Sequence, residues 1–99
     1  MKLLDAVTGV GAGNGRMTDK VFAHHGWQIS VTGAPSAVSV TLEGSLDGST
    51  WVVLDTSTIT TSEIRFVANK PVLFVRGNLG TLTGGTAPTV SVEYMGANA

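Results

Sequence analysis

The chain of 99 residues contains no cysteine. That removes disulfides, thiolate zinc sites and cysteine nucleophiles together. A small secreted domain ordinarily needs such staples. The chain therefore reads as one that folds in a reducing cytoplasm, with a larger assembly as a second source of stability. Charge is scarce as well. Charged residues make up 13% of the sequence, against a usual share of roughly 25%. Six Lys and Arg against seven Asp and Glu leave a formal net charge of -1. No basic stripe exists, and nucleic-acid binders neutralise many phosphates with Lys and Arg. No apolar run approaches the ~18–20 residues of a membrane helix. Met1-Lys2-Leu3-Leu4 resembles the start of a signal peptide, but Asp5 ends the run at once. The expectation is a protein made and kept inside the cell, with neither nucleic acid nor a membrane as partner. Helical periodicity is missing too. No stretch repeats apolar residues at i, i+3, i+4 and i+7, and Lys20 to His25 has room for one short helical turn at most.

What is present is strand-and-turn material. Hydrophobic residues reach 42%, enough for one core, and Gly, Thr, Ser and Val dominate. Alternation marks the strands. Val38, Val40 and Leu42 alternate with Ser39, Thr41 and Glu43. Trp27, Ile29 and Val31 form one side of another strand, and Val90, Val92 and Tyr94 one side of the last. Glu63 to Ala68 carries Ile64, Phe66 and Ala68 on one side. Val72 to Gly77 is nearly all apolar, which predicts a central strand, and Gly77 to Pro88 reads as a long loop. With Trp51 to Asp55 and Leu3 to Thr8, this predicts an all-β antiparallel sandwich of about seven strands with little or no helix. Val40, Leu42, Trp51, Val53, Phe74 and Val92 are the expected core. Asp47-Gly48, between two β-rich runs, predicts a hairpin tip whose role is structural. The glycine-rich start divides the chain into an N-terminal arm over residues 1–20 and a sandwich domain over 21–99. On that division, deleting residues 1–18 leaves a folded domain that no longer assembles.

Residues that carry chemistry are few. Gly9 to Gly15 looks like a phosphate loop, but no helix follows it to face an anion. His24 and His25 are adjacent, so on a strand they point to opposite faces and cannot chelate one ion. No nucleophile and base, and no carboxylate pair, stand at a catalytic spacing. The expectation is a protein that is not an enzyme and has no metal and no cofactor. Arg65 and Arg76 interrupt apolar strands and, with His24 and His25, are candidates for an interface with another subunit. Trp51 is the candidate for a sugar-stacking platform, although none of Asn14, Gln28, Asn69, Asn78 and Asn98 clusters with it in sequence.

The run from Val38 to Trp51, with Leu42, Gly44, Ser45, Asp47, Gly48 and Trp51, then Val52-Val53-Leu54, resembles a hairpin of many small tailed-phage virion proteins. Phe74-Val75-Arg76-Gly77-Asn78-Leu79, Thr83-Gly84-Gly85 and Val90-Ser91-Val92 extend the likeness over roughly residues 37–95. The resemblance implies a non-enzymatic virion structural protein, such as a capsid decoration, head-fibre or tail-associated piece. It further implies synthesis in the host cytoplasm, with other virion proteins and copies of itself as partners. Discoidin-type carbohydrate-binding domains use a similar hairpin. They supply the alternative, a glycan-binding module for host-surface attachment. A buried Trp51 favours assembly, and an exposed Trp51 beside polar groups favours glycan binding.

Overall fold

The computed structural model describes residues 1–97, the side chain of Asp19 excepted. The last two residues of the expected 21–99 span lie outside the described residues. Among the described residues nine strands follow one another: β1 (Lys2–Val7), β2 (Gly11–Ala12), β3 (Arg16–Phe22), β4 (His24–Thr32), β5 (Ala37–Ser45), β6 (Val52–Ser57), β7 (Ser62–Val67), β8 (Val72–Thr83) and β9 (Thr89–Ala97). They form two antiparallel sheets. One has the order β1-β9-β4-β7; the other has the order β2-β8-β5-β6, with β3 also paired to β8. The expected all-β sandwich is the fold. The described residues form nine strands because the N-terminal segment pairs and Lys20 to His25, instead of a helical turn, is the end of β3 and the start of β4 joined by a bend at Ala23.

The core lies between the sheets. Trp27 and Ile29 of β4, Val90, Val92 and Tyr94 of β9, Val38, Val40 and Leu42 of β5, and Val75 and Leu79 of β8 are all buried. These are the alternating positions, since successive side chains of a strand face opposite ways. Three expected core residues lie elsewhere. Leu42 and Glu43 are consecutive on β5 but pair with Asp55 and Val53, so β6 bulges at Leu54. The bulge turns Leu54 inward, leaving Val53 outside and Trp51 only half-buried. Phe74 pairs with Ser45 and is also only half-buried, packed beside Gly48. The expected loop from Gly77 is mostly strand, because β8 runs on to Thr83 with an irregularity around Gly80.

The first twenty residues are part of this packing. β1 pairs with β9 at a sheet edge and buries Leu3 and Leu4 in the core. β2 pairs Gly11 with Leu79 and Ala12 with Asn78, and the Gly13 amide donates to the Gly77 carbonyl at 2.7 Å. A Cβ on Gly77 would sit 2.9 Å from Leu4 Cγ, so Leu4 packs where only glycine leaves room. All three strands of residues 1–22 thus pair with strands of the expected sandwich span, β1 with β9 and β2 and β3 with β8.

The hairpin tip between β5 and β6 is built from its own side chains. Asp47 Oδ1 accepts from the amides of Ser49 and Thr50, both at 2.8 Å, and from the Ser45 hydroxyl at 2.9 Å. Ser45 Oγ in turn accepts from the amide of Gly48 at 2.9 Å. The Thr50 and Ser49 amides, then the Ser45 hydroxyl, hold the Asp47 carboxyl down at about 2. Gly48 has φ +78°, and a Cβ there would stand 3.3 Å from Phe74. Gly48→Val is expected to lower stability by about 1–3 kcal/mol, from a β-branched residue in the left-handed region. Urea titration checks it, and an unchanged midpoint contradicts the strain.

Candidate functional site

Two outer faces and one buried cluster collect the notable side chains. The outer face of the second sheet carries Trp51, Arg76, Glu43 and Asn78. Arg76 and Glu43 are cross-strand partners on β8 and β5, with Nε 2.6 Å from Oε1. Asn78 donates to the other Glu43 oxygen at 3.2 Å. The Arg76 guanidinium lies 4.5 Å from the centre of the Trp51 ring, and Gly15 abuts the ring edge. The sequence did not reveal this grouping, since its members come from distant strands. Arg76, placed above among interface candidates, pairs with Glu43 and covers Trp51 while staying a quarter exposed. One face of Trp51 that a sugar would use carries that guanidinium. Of the other amides, Asn98 lies outside the described residues.

Arg65 is likewise engaged within the chain. It leaves β7, crosses to β6 and grips Asp55 with Nε at 2.8 Å and NH2 at 3.1 Å. Asp55 also accepts from the indole of Trp27 at 3.0 Å. Burial alone raises the Asp55 carboxyl, but the hydrogen bonds from Arg65 and Trp27 outweigh it and hold it below its ordinary value. Glu63 stands 3.6 Å from Arg65 and accepts from the buried Ser57 hydroxyl. A polar clasp thus ties one sheet to the other along the β6 and β7 edges.

The clasp has a consequence for β7. Glu63 and Arg65 point inward, so Ile64 and Phe66 point out. Phe66 pairs with Gly26, and Gly26 with Met95, which makes one row across the outer face of the first sheet. Phe66 is 81% exposed, Met95 68% and Ile64 59%; Phe66 is the most exposed large apolar side chain among the described residues. The next row is mixed, Ile64 beside the polar Gln28, Glu93 and Lys2, and the one after it is polar throughout: Ser62, Ser30 and Ser91. This patch was not among the sequence candidates, because alternation alone does not say which side of a strand meets the core.

The two histidines point opposite ways, as expected. His24 lies beside the apolar row. His25 is buried, with Nε2 2.7 Å from the Lys70 carbonyl and Nδ1 2.6 Å from the Tyr94 hydroxyl. A carbonyl only accepts, so Nε2 carries the proton and Nδ1 accepts from Tyr94. His25 is a neutral core residue, not an interface group. Burial lowers its pKa below the ordinary 6.5, and burial raises Tyr94 to about 12. The unfolded chain therefore binds the His25 proton more readily than the folded one. Stability is full above the unfolded value and is lost as pH falls through it toward the lowered folded value. Melting temperature is expected to be lower at pH about 5 than at about 8, with a smaller difference in His25→Gln. Equal differences in both proteins contradict this.

Among the described residues, no group of three His, Asp or Glu side chains is placed to hold a metal ion. Among the described residues, no helix is long and apolar enough to cross a membrane. No protein-family model and no curated protein matches the sequence. The fold is similar to the crystal structure of the SPBc2 prophage-derived protein YomS. The TM-score is 0.64 at 10% sequence identity, over 93% of this chain and 87% of that one. At that identity the likeness is one of fold.

Proposed function

We propose that the chain is a non-enzymatic structural protein of a tailed-phage virion, a capsid decoration or other head-associated protein. Its partners are other virion proteins and copies of itself, and it joins the virion after synthesis in the host cytoplasm. The observation that carries this reading is the row Phe66, Gly26 and Met95. Contiguous exposed apolar patches on a domain surface mark interaction sites, where singly scattered apolar residues do not. The patch exists because β7 places its charges inside and its apolar residues outside. Two further observations support it: the hairpin resemblance over residues 37–95 and a fold shared with a prophage-derived protein.

Contacts to the virion then run through a sandwich face, because the N-terminal strands are occupied within the chain. Arg65 and Arg76 hold the domain together, and His24 borders the contact face. Quantitative mass spectrometry of purified particles tests the function. The chain should be present at a fixed copy number per particle. Its absence from particles, with the protein abundant in the infected cell, overturns the reading.

A further inference from the structure

The first sheet offers another chain two edges and one face. Both edges are obstructed. β1 is irregular twice in its register with β9, and Ala6 stands at φ 48°. β7 turns Glu63 and Arg65 inward, and inward charges on an edge strand discourage pairing with a further strand. That leaves the face with the apolar row.

We propose that this face packs against the same face of a second copy of the chain, about a two-fold axis. The inference does not require the virion reading. A two-fold interface must be complementary to itself, so each protrusion needs a matching recess on the same surface. The row supplies both. Phe66 projects at one end and Met95 at the other, while Gly26 between them has no side chain. A Cβ built on Gly26 would be 3.4 Å from the Phe66 ring and 3.6 Å from Met95 Cγ, so the gap is narrow and apolar-walled. Each copy's Phe66 ring fills the recess over Gly26 of the other.

Charge permits the pairing. Lys2 stands 3.7 Å from Asp5 and 3.4 Å from Glu93, and the amino terminus 3.6 Å from Glu93. The charges at this rim are balanced within each chain, so two identical faces meet without net repulsion. Size permits it as well. The molecule measures 39 × 25 × 18 Å, so a face bounded by its two longer axes is on the scale of the ~800 Å² per partner of a standard interface. The apolar centre with serine and charged rows beside it matches the core-and-rim pattern of such interfaces.

Sedimentation equilibrium tests the proposal on the full chain, on Phe66→Asp and on Gly26→Leu. The wild type is expected at twice the chain mass. Both variants are expected at the single-chain mass with wild-type circular dichroism and an unshifted melting midpoint. If Phe66→Asp does not fold, Met95→Asp carries the same test. A wild type that stays monomeric overturns the proposal, and so do folded variants that remain dimeric. A monomeric wild type that still enters particles sinks the dimer and leaves the virion reading standing. A dimer missing from particles does the reverse. Loss of Phe66→Asp from particles when the wild type is monomeric assigns the face to another virion protein, against the second copy.

Discussion

Deletion of residues 1–18 is expected to abolish the cooperative unfolding transition of the domain. Leu3 and Leu4 are core residues, 6% and 4% exposed, and their strand is hydrogen-bonded along β9. Each buried leucine accounts for about 2–5 kcal/mol when truncated to alanine. A small domain has only about 5–15 kcal/mol in total, so losing both consumes most of it. The deletion also removes Thr18, whose hydroxyl donates to the Lys20 and Leu73 carbonyls at 2.7 and 2.9 Å, and it uncovers the β8 backbone that β2 and β3 pair with. Urea titration followed by circular dichroism reads the result. A truncated chain with a wild-type midpoint contradicts it and restores the glycine-rich segment as a separable arm.

Trp27→Ala is expected to destabilise the domain by about 3–5 kcal/mol, the range for deleting a large buried aromatic. Trp27 is 1% exposed and reaches from one sheet to Asp55 on the other. Trp27→Phe keeps most of the ring volume but drops the indole donor. Asp55 Oδ2 still accepts from Arg65 at 2.8 Å, so this variant is expected to lose about 1 kcal/mol for the missing hydrogen bond, beyond any repacking. The pair of variants separates the packing of Trp27 from its role in the clasp. Chemical denaturation of both proteins supplies the comparison. Equal losses in the two would show that the indole donor, and not the ring, is what matters.

The parts of the fold that were legible in sequence are those fixed by local pattern. β5, β9 and the central part of β4 announce themselves by alternation, and the same residues are buried. The Asp47-Gly48 tip was legible because its hydrogen bonds all come from within Ser45 to Thr50. What escaped depends on distant partners. The bulge at Leu54 is visible only against β5, and it is what moved Trp51 and Val53 out of the expected core. The glycines of the N-terminal segment read as flexibility. In the folded chain, Gly13 meets Leu3 and Leu4 at distances no side chain would allow. β7 is the most informative case. Its alternation was plain, but the choice of which side faces the core was made by Asp55, Ser57 and Trp27 on other strands. Because they hold Arg65 and Glu63 inside, Ile64 and Phe66 became the outer surface. Arg65 and Arg76, the arginine candidates for an interface, each make an ion pair within the chain, to Asp55 and to Glu43, and both stay partly exposed.

We propose that this chain assembles through the outer face of the β1-β9-β4-β7 sheet, at the row Phe66, Gly26 and Met95. The most direct measurement is competitive incorporation: wild type and Phe66→Asp are co-expressed during phage production, and their ratio in purified particles is compared with their ratio in the lysate. The expected result is particles containing wild type and almost none of the variant, although both are folded and equally abundant in the lysate. Incorporation of Phe66→Asp in proportion to its abundance would contradict the claim.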